Sequence, residues 1–391
     1  MAVDFLQIRQ QIQQLGQIFL TREKFLEKQR ELAQALLQSY TDCGEDLRQK
    51  IVRITNSSDP SLHCAFPLGE RLTQRTGLPM LPPGVTALAA DGSQIDLDPH
   101  AEVEYCLINV GTIQMCYGTD QPPMTRVHTQ LFYDRELEHM TENILALKRD
   151  LNERKELAEL GARMPRPVVA FTDGPMELWR AKVTSKEYHS EYQRSLEEYF
   201  AVLESLADLG VIAAGYVDKP GAGLVTRLLE IAFIKPEDEK NPQNYHPLRG
   251  VRDQDLFEAL LQPGERSAVY SIQSSSAKDY PPRLKVNFFY INVGREGASW
   301  LARVEAPEWV INDQPMLDTL HAVLVDQCRR MGNQPYPYLL HRAHETAVVQ
   351  QEEKAQITQM ILLELRNRGV RQGKQSHKSS SKLLAGRKRY S

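Results

Sequence analysis

This sequence is poor in cysteine, and the few cysteines that it has are scattered. The five positions among 391 residues are Cys43, Cys64, Cys106, Cys116 and Cys328. No Cys-x-x-Cys pair occurs. An odd, dispersed set argues against a disulfide framework and against a cysteine zinc site, and it is typical of a reducing compartment. We therefore expect a cytoplasmic protein.

Long apolar runs and several well-known motifs are also missing. No stretch approaches the roughly 20 apolar residues that a helix needs to span a bilayer. The first six residues lack the basic start and apolar centre of a signal peptide. The absence of a P-loop, a Gly-rich dinucleotide loop, a Ser-His-Asp pattern and a His-Glu-x-x-His motif argues against ATPases, Rossmann enzymes and zincins. We expect no membrane partner and one large domain with appendages.

Acidic residues are missing from the end of the chain. Residues 366–391 carry nine lysines and arginines and no aspartate or glutamate. Their Gly, Ser and Gln content does not favour packing, so we interpret residues 367–391 as a disordered basic tail. Such a tail attracts polyanions, nucleic acid foremost, through release of counterions. The alternative is a tail that only raises solubility.

The start of the chain has a helical pattern. Residues 4–52 repeat Leu, Ile and Phe at intervals of three and four among polar residues. This predicts an amphipathic helical hairpin or a short coiled-coil-like arm over residues 1–54. The arm could pack on its own core or on a second subunit, and the sequence leaves that choice open.

Two Asp-Gly pairs follow apolar runs. Residues 85–90 precede Asp91-Gly92, and residues 168–171 precede Asp173-Gly174. Such runs predict buried strands, and we expect each glycine to end its strand in a tight turn. Two carboxylates at the ends of core strands favour an oxygen-rich site for a hard divalent metal.

The remaining pattern predicts an α/β domain around a mixed sheet. Residues 103–110 and 112–117 flank Gly111 and predict an antiparallel hairpin, which would complete a three-stranded meander with the Asp91 strand. Residues 235–265 are polar and predict a surface excursion. Further strands are predicted at 211–217, 268–272, 284–293 and 299–304, and helices at 135–160, 185–209, 224–233, 316–331 and 338–366.

The helix before Asp173 offers acidic residues for a metal site. A two-metal phosphoryl-transfer site needs several carboxylates, often with a histidine. Glu153, Glu156 and Glu159 lie at three-residue steps on this helix. We favour Glu156 as the third carboxylate, with Glu153 second. Charged residues on a long helix also commonly just face water.

A late helix offers a histidine. Tyr336-Pro337 suits a helix start, and His344 follows about two turns later. A neutral imidazole there could ligate metal or act as a general base. A purely structural histidine is the alternative. His341 lies one turn earlier, and the sequence does not decide between His341 and His344.

A cation follows a further strand. Lys219 comes directly after residues 211–217, and Arg227 lies on the next helix. Both could neutralise phosphate oxygens if that strand is parallel to the aspartate strands. Asp218 could be another ligand or simply a turn former.

In their order along the chain these motifs resemble the NurA nucleases. The resemblance covers residues 87–349 and joins Asp-Gly-Ser after a strand, a Glu-bearing helix, a second Asp-Gly, Gly-Tyr-Val-x-Lys-Pro, and Tyr-Pro with a histidine eight residues after the tyrosine. On that pattern Asp91, Asp173 and His344 match metal-site positions. Glu156 matches the helical glutamate by its spacing to Asp173, and Tyr336 matches an aromatic position.

The resemblance implies a fold and a function for residues 85–366. It implies a ribonuclease-H-like (PIWI-like) core and a manganese-dependent 5′-to-3′ DNA exonuclease, often with single-strand endonuclease activity, with Mg²⁺ as the alternative metal. It also implies a ring-shaped homodimer that docks on the hexameric HerA translocase during break-end resection and repair.

Two features depart from this pattern. Pro175 stands where the family more often has serine followed by leucine, and no adjacent motif supports the match at Glu156. The resemblance does not account for the basic tail. Pro175 and the basic tail leave room for a non-catalytic DNA-binding clamp or adaptor, and a structural helical-arm protein is a third interpretation.

Overall fold

The computed structural model describes residues 4–99, 101–178 and 185–369. Its chain forms two compact units. The first unit comprises Met1–Met80 and Gly215–Pro335, and the second comprises Leu81–Ala214 and Tyr336–Ser391. Each unit is therefore built from two separate stretches of the chain.

Helices and strands follow one another mostly in groups along the described residues. The strands are β1 (Cys64–Pro67), β2 (Arg75–Thr76), β3 (Thr86–Ile95), β4 (Cys106–Cys116), β5 (Met124–Phe132), β6 (Val168–Asp173), β7 (Val211–Asp218), β8 (Arg266–Ser267), β9 (Tyr270–Gln273), β10 (Val286–Asn292) and β11 (Leu301–Pro307). The helices are α1 (Phe5–Ser39), α2 (Gly44–Ser57), α3 (Glu142–Gly161), α4 (Lys186–Asp208), α5 (Leu224–Phe233), α6 (Asp253–Leu260), α7 (Glu308–Ile311), α8 (Gln314–Arg329), α9 (Tyr338–Ala347) and α10 (Gln351–Asn367).

The second unit contains a mixed sheet. Its strands lie in the order β5-β4-β3-β6, followed by the first half of β7. Strand β3 is antiparallel to β4, and β4 is antiparallel to β5, whereas β3 is parallel to β6. A meander whose first strand also pairs with a later parallel strand is the arrangement of the ribonuclease-H-like fold. The predicted fold class is thus confirmed.

Helices cover both faces of this sheet. A methyl carbon built on Gly111 of β4 would lie 2.7 Å from the carbonyl oxygen of Ala343, so α9 lies against that face. A methyl carbon on Gly92 of β3 would lie 2.6 Å from Arg149 Cγ, so α3 lies against the other face. Asp91 pairs directly with Gly111. Because neighbouring side chains alternate along a strand, Asp91 faces α9 and Gly92 faces α3.

The predicted hairpin at Gly111 is wrong. Strand β4 runs without a turn through this glycine, and the third strand of the meander is β5. Gly111 is needed for space, because a methyl carbon there would also lie 2.8 Å from the backbone nitrogen of Ala347. Strand β5 was missed because all its residues except Phe132 are exposed and it lacks a buried, alternating pattern.

Only one of the two predicted Asp-Gly turns exists. Strand β6 ends at Asp173, and Gly174 has a φ of +85°, which is a turn conformation that suits glycine. Strand β3, in contrast, continues past Gly92 to Ile95. Asp91 therefore lies within its strand, whereas Asp173 lies at the end of its own.

The predicted helix over residues 338–366 is two helices. Val348 leaves the helical conformation with a ψ of 120°, and the backbone N–H of Gln350 then donates to Glu353 Oε2 at 2.7 Å to begin α10. The carbonyl of Ala347 accepts from Asn109 Nδ2 at 2.8 Å and from Ser93 Oγ. These sheet side chains satisfy a carbonyl that the helix end leaves unpaired.

The first unit contains an antiparallel sheet in the order β1-β9-β10-β11, followed by the second half of β7.

The predicted surface excursion at residues 235–265 is partly wrong, because it contains α6 and its buried Asp253. This carboxylate accepts from the backbone N–H groups of Val225 and Thr226 and from the Tyr290 hydroxyl. It thereby provides hydrogen-bond acceptors for backbone N–H groups that would otherwise be unpaired at the N-terminus of α5.

The N-terminal segment is helical, as the sequence pattern indicates. The end of α1 and the inner face of α2 are buried, with Leu37 and Ile51 at 2% exposure or less, whereas Phe5, Ile12 and Phe19 are exposed. The predicted basic tail lies outside the described residues from residue 370 onward. No described helix combines the length and apolar character that crossing a membrane requires.

Candidate active site

A carboxylate and an imidazole meet on the α9 face of the second unit. His344 Nδ1 lies 2.7 Å from Asp91 Oδ2, and Asp91 Oδ1 accepts from the backbone N–H of Gly92 at 2.9 Å. A carboxylate only accepts, so Nδ1 of His344 is the donor, and in a neutral imidazole the lone pair then lies on Nε2. The Asp91 side chain is 17% exposed and the His344 side chain 64% exposed. The pair is therefore fixed at one end and open to solvent at the other.

The second predicted aspartate lies on the neighbouring strand. Strands β3 and β6 are parallel, and Ala90 is the register partner of Thr172. The next residues along each strand are Asp91 and Asp173. Neighbouring strands lie about 4.8 Å apart, and residues at one register level of parallel strands point to the same face. Asp91 and Asp173 thus start from adjacent backbone positions on the face that carries α9.

Glu153 approaches β3 from the opposite face. Its side chain is 6% exposed, and a methyl carbon on Gly92 would lie 2.8 Å from Glu153 Oε1. Arg154 lies 3.3 Å from one carboxylate oxygen and Arg149 lies 3.7 Å from the other. Burial raises the pKa of the Glu153 carboxyl, while the neighbouring Arg154 charge opposes that rise. This carboxylate is the acidic group that α3 brings closest to Gly92.

Glu156, the glutamate favoured from sequence, lies elsewhere on α3. Its Oε1 lies 2.8 Å from Nδ1 of His128, which belongs to the edge strand β5. Strand β4 separates β5 from the Asp91 strand. One helical turn thus separates Glu153, which lies at β3 beside Gly92, from Glu156 at the sheet edge, and the choice of Glu156 as the helical ligand stays a prediction.

The predicted four-ligand metal shell is not assembled by these side chains. Among residues 4–99, 101–178 and 185–369, no three His, Cys, Asp or Glu side chains lie close enough to hold one metal ion. Asp91 is directed toward His344, and Glu153 is directed toward its arginines across the sheet. What the structure brings together is Asp91 with His344, and Asp173 by strand register.

The two predicted phosphate-binding cations belong to the first unit. Lys219 is exposed, with its Nζ 4.1 Å from the centroid of the Trp300 ring. Arg227 donates to Glu230 and to the backbone carbonyls of Tyr245 and Pro242, each at 2.7 Å. Those contacts occupy the Arg227 guanidinium in holding its own unit together, so the structure favours a structural role for it.

Tyr336 is the residue at which the chain re-enters the second unit. It is half-buried and lies two residues before α9, whose first turn follows Pro337. This position places it on the segment that leads to His344. Its predicted role toward DNA stays a prediction.

Sequence reasoning missed two arginines beside the site. Arg149 and Arg154 both contact Glu153 from α3, and Arg154 is buried. A signal was present, because Arg154 occupies a place in the apolar stripe that includes Leu147, Leu151 and Leu157. An arginine within such a stripe indicates a buried charge with a partner.

The sequence profile of the NurA domain matches residues 85–349. The chain belongs to the NurA family. Comparison with curated proteins finds no match.

Several solved structures are similar to this NurA-family chain. The NurA nuclease from Sulfolobus solfataricus is 11% identical, with a TM-score of 0.46 over 75% of this chain and 88% of that one. A NurA structure with manganese is 8% identical, with a TM-score of 0.39 over 72% and 89% of the two chains. Endonuclease V from Ciona intestinalis, solved with inosine-containing DNA, is 13% identical, with a TM-score of 0.34 over 82% and 98%.

Proposed function

We propose that this NurA-family protein is a metal-dependent DNA nuclease, a 5′-to-3′ exonuclease with activity on single strands. Membership of the family supports a nuclease. The observation that carries the proposal is the arrangement on the α9 face, where Asp91 is hydrogen-bonded to His344 and follows Ala90, the register partner of the residue before Asp173. Carboxylates near a histidine are suited to hold the metal ions that assist hydrolysis of a phosphodiester.

Three residues of this face carry donor atoms that a divalent cation can use, although their side chains do not converge on one point. Asp91 and Asp173 offer carboxylate oxygens, and His344 offers the free nitrogen of a neutral imidazole, a donor set that suits Mn²⁺ and also Mg²⁺. Neither helical glutamate lies on this face. Glu153 reaches β3 beside Gly92 from the α3 face, and we propose that it supports the site from there, with Glu156 as the alternative. When bound, such an ion supplies charge neutralisation at the phosphate and acidifies water.

Asp91 and His344 can together orient an imidazole that accepts a proton from water. Asp91 accepts a hydrogen bond from Nδ1–H of His344 and so fixes both the tautomer and the orientation of the ring. The outward Nε2 is then free to accept a proton from water or to ligate the cation. Lys219 remains a candidate for contact with the DNA backbone, as does Tyr336.

Partners are proposed on the family resemblance. We infer that the protein acts on DNA ends as a homodimer, together with a hexameric HerA-type translocase, in end resection and double-strand break repair. Its place would then be the cytoplasm, in association with the nucleoid.

A cleavage assay tests the proposed function. Purified protein with Mn²⁺ should degrade end-labelled single-stranded DNA, and chelation should stop the reaction. Asp91→Ala and Asp173→Ala should abolish cleavage while the circular dichroism spectrum is unchanged. Asp96→Asn, an exposed acid that follows the same strand as Asp91, is the matched control and should retain activity. Undiminished cleavage by both alanine variants would refute the assignment.

A non-catalytic DNA clamp is the second candidate. It is favoured by one observation, that no three potential ligands converge among the described residues. A clamp would bind DNA equally well with and without Mn²⁺ and would release no nucleotides. A metal titration of binding and cleavage in parallel separates the two functions.

A further inference from the structure

A buried arginine links two parts of the candidate site. Arg154 of α3 has a side chain that is 7% exposed. One guanidinium nitrogen donates to Glu153 Oε2 at 3.3 Å and to the carbonyl of Asp150 at 2.9 Å. The other donates to the carbonyl of Pro175 at 3.2 Å. Pro175 is the second residue after Asp173, so a single side chain contacts both Glu153 and the turn that follows Asp173.

A second contact holds the same turn from another helix. The ring of Tyr199 on α4 lies with its centroid 5.6 Å from the Arg154 guanidinium carbon. The Tyr199 hydroxyl donates to the carbonyl of Met176, the residue after Pro175. Two successive carbonyls beyond Asp173 are thus held by neighbouring buried side chains from α3 and α4.

Stability alone does not explain a charge at this position. Burying a guanidinium costs solvation energy, and a well-packed apolar side chain is often at least as stable there. What arginine adds is a planar fork of donors that can hold several acceptors at fixed angles. Here the acceptors are a carboxylate beside Gly92 and the backbone beside Asp173.

We propose that Arg154 is a positioning residue of the active site, which fixes Glu153 and the turn after Asp173 in one rigid frame, with Tyr199 as its second tether. The proposal rests on the proposed function. Arg154 does not touch the substrate in this account. It acts through the two acidic groups, and such outer contacts of a metal site typically contribute about 10–100-fold to metal affinity or activity.

The test uses three variants of the full chain. Arg154→Lys retains the charge but not the fork, and Tyr199→Phe removes only the hydroxyl that holds Met176. Arg266→Met is the matched control, because Arg266 is equally buried in the first unit and pairs with Glu70. Mn²⁺ binding without DNA is measured by electron paramagnetic resonance, and amide hydrogen exchange is measured at Met176. Cleavage is measured as kcat and KM.

We expect Arg154→Lys to weaken Mn²⁺ binding and lower kcat by about 10–100-fold at unchanged KM for DNA. Tyr199→Phe should weaken Mn²⁺ binding and lower kcat to a smaller extent. Both variants should speed amide hydrogen exchange at Met176. Arg266→Met should lower Tm without changing Mn²⁺ binding. The proposal is overturned if both test variants bind Mn²⁺ as the wild type does, or if Arg266→Met weakens binding equally. If the wild type neither binds Mn²⁺ nor cleaves DNA, the proposed function fails, and unchanged exchange at Met176 would separately overturn the tether.

Discussion

The two Asp-Gly pairs have the same sequence and different structures. Asp173-Gly174 ends a strand, and its glycine has a positive φ with no atom within 4 Å of an added methyl carbon. Asp91-Gly92 lies inside a strand, and its glycine is surrounded by the side chains of Arg149 and Glu153. One glycine is required for backbone conformation and the other for space. The same dipeptide therefore places two carboxylates in register by two physical mechanisms.

The largest expected effect is that of removing either carboxylate of the two Asp-Gly pairs. If Asp91 and Asp173 serve one site, Asp91→Asn and Asp173→Asn should each slow DNA cleavage by at least about a thousandfold, which is roughly 4 kcal/mol of transition-state stabilisation. The double variant should be no slower than either single variant, because residues that act as a unit are not additive. Single-turnover rates measure this. Multiplicative losses would show that the two aspartates act separately.

The next effect separates the glutamates on α3. Glu153→Gln should slow cleavage by about 10–100-fold, because Glu153 lies at Gly92 and beside Asp91's strand. Glu156→Gln should remain within about twofold of the wild type, since Glu156 pairs with His128 at the sheet edge and surface pairs contribute little. Cleavage rates at saturating Mn²⁺ measure both. The reverse order would make Glu156 the helical ligand.

The need for a residue without a side chain at position 92 can be tested by measuring the free energy of unfolding of Gly92 variants. Gly92→Ala should lower the free energy of unfolding by about 1–3 kcal/mol, because the methyl group would overlap Arg149 Cγ and displace Glu153. Gly92→Asn should be at least as destabilising, since it adds bulk. Urea denaturation measures both variants. A neutral Gly92→Ala would mean that α3 does not need this close approach.

The smallest effect concerns conformation at Gly174. Gly174→Ala should cost about 1–2 kcal/mol, because a positive φ strains an alanine even in open space. Gly174→Asn should cost less, since asparagine tolerates the left-handed region. At Gly174 alanine should destabilise more than asparagine, whereas at Gly92 asparagine should destabilise at least as much as alanine. The same urea denaturation experiment measures this difference. Equal costs for alanine and asparagine at both glycines would remove the distinction.

Local patterns predicted much of the fold. Helices α4 and α5 and strand β7 lie within about two residues of their predicted bounds, because each has a clear apolar period and polar ends. The strands before Asp91 and Asp173 were also found, since buried strands have apolar runs.

The errors come from contacts with distant parts of the chain. Gly111 was interpreted as a turn because the sequence does not show that Ala343 packs against it. Strand β5 has no buried pattern and is held by backbone pairing with β4. The preference for Glu156 over Glu153 rested on spacing and stays a prediction, because the sequence does not show which helical turn reaches Gly92.

Locating manganese in a crystal tests the central claim most directly. Crystals soaked in Mn²⁺ should give an anomalous difference peak within ligand distance of the Asp91 and Asp173 carboxylates, on the face that carries His344. An anomalous peak only elsewhere in the chain, or none at these residues while cleavage still depends on Mn²⁺, would contradict it.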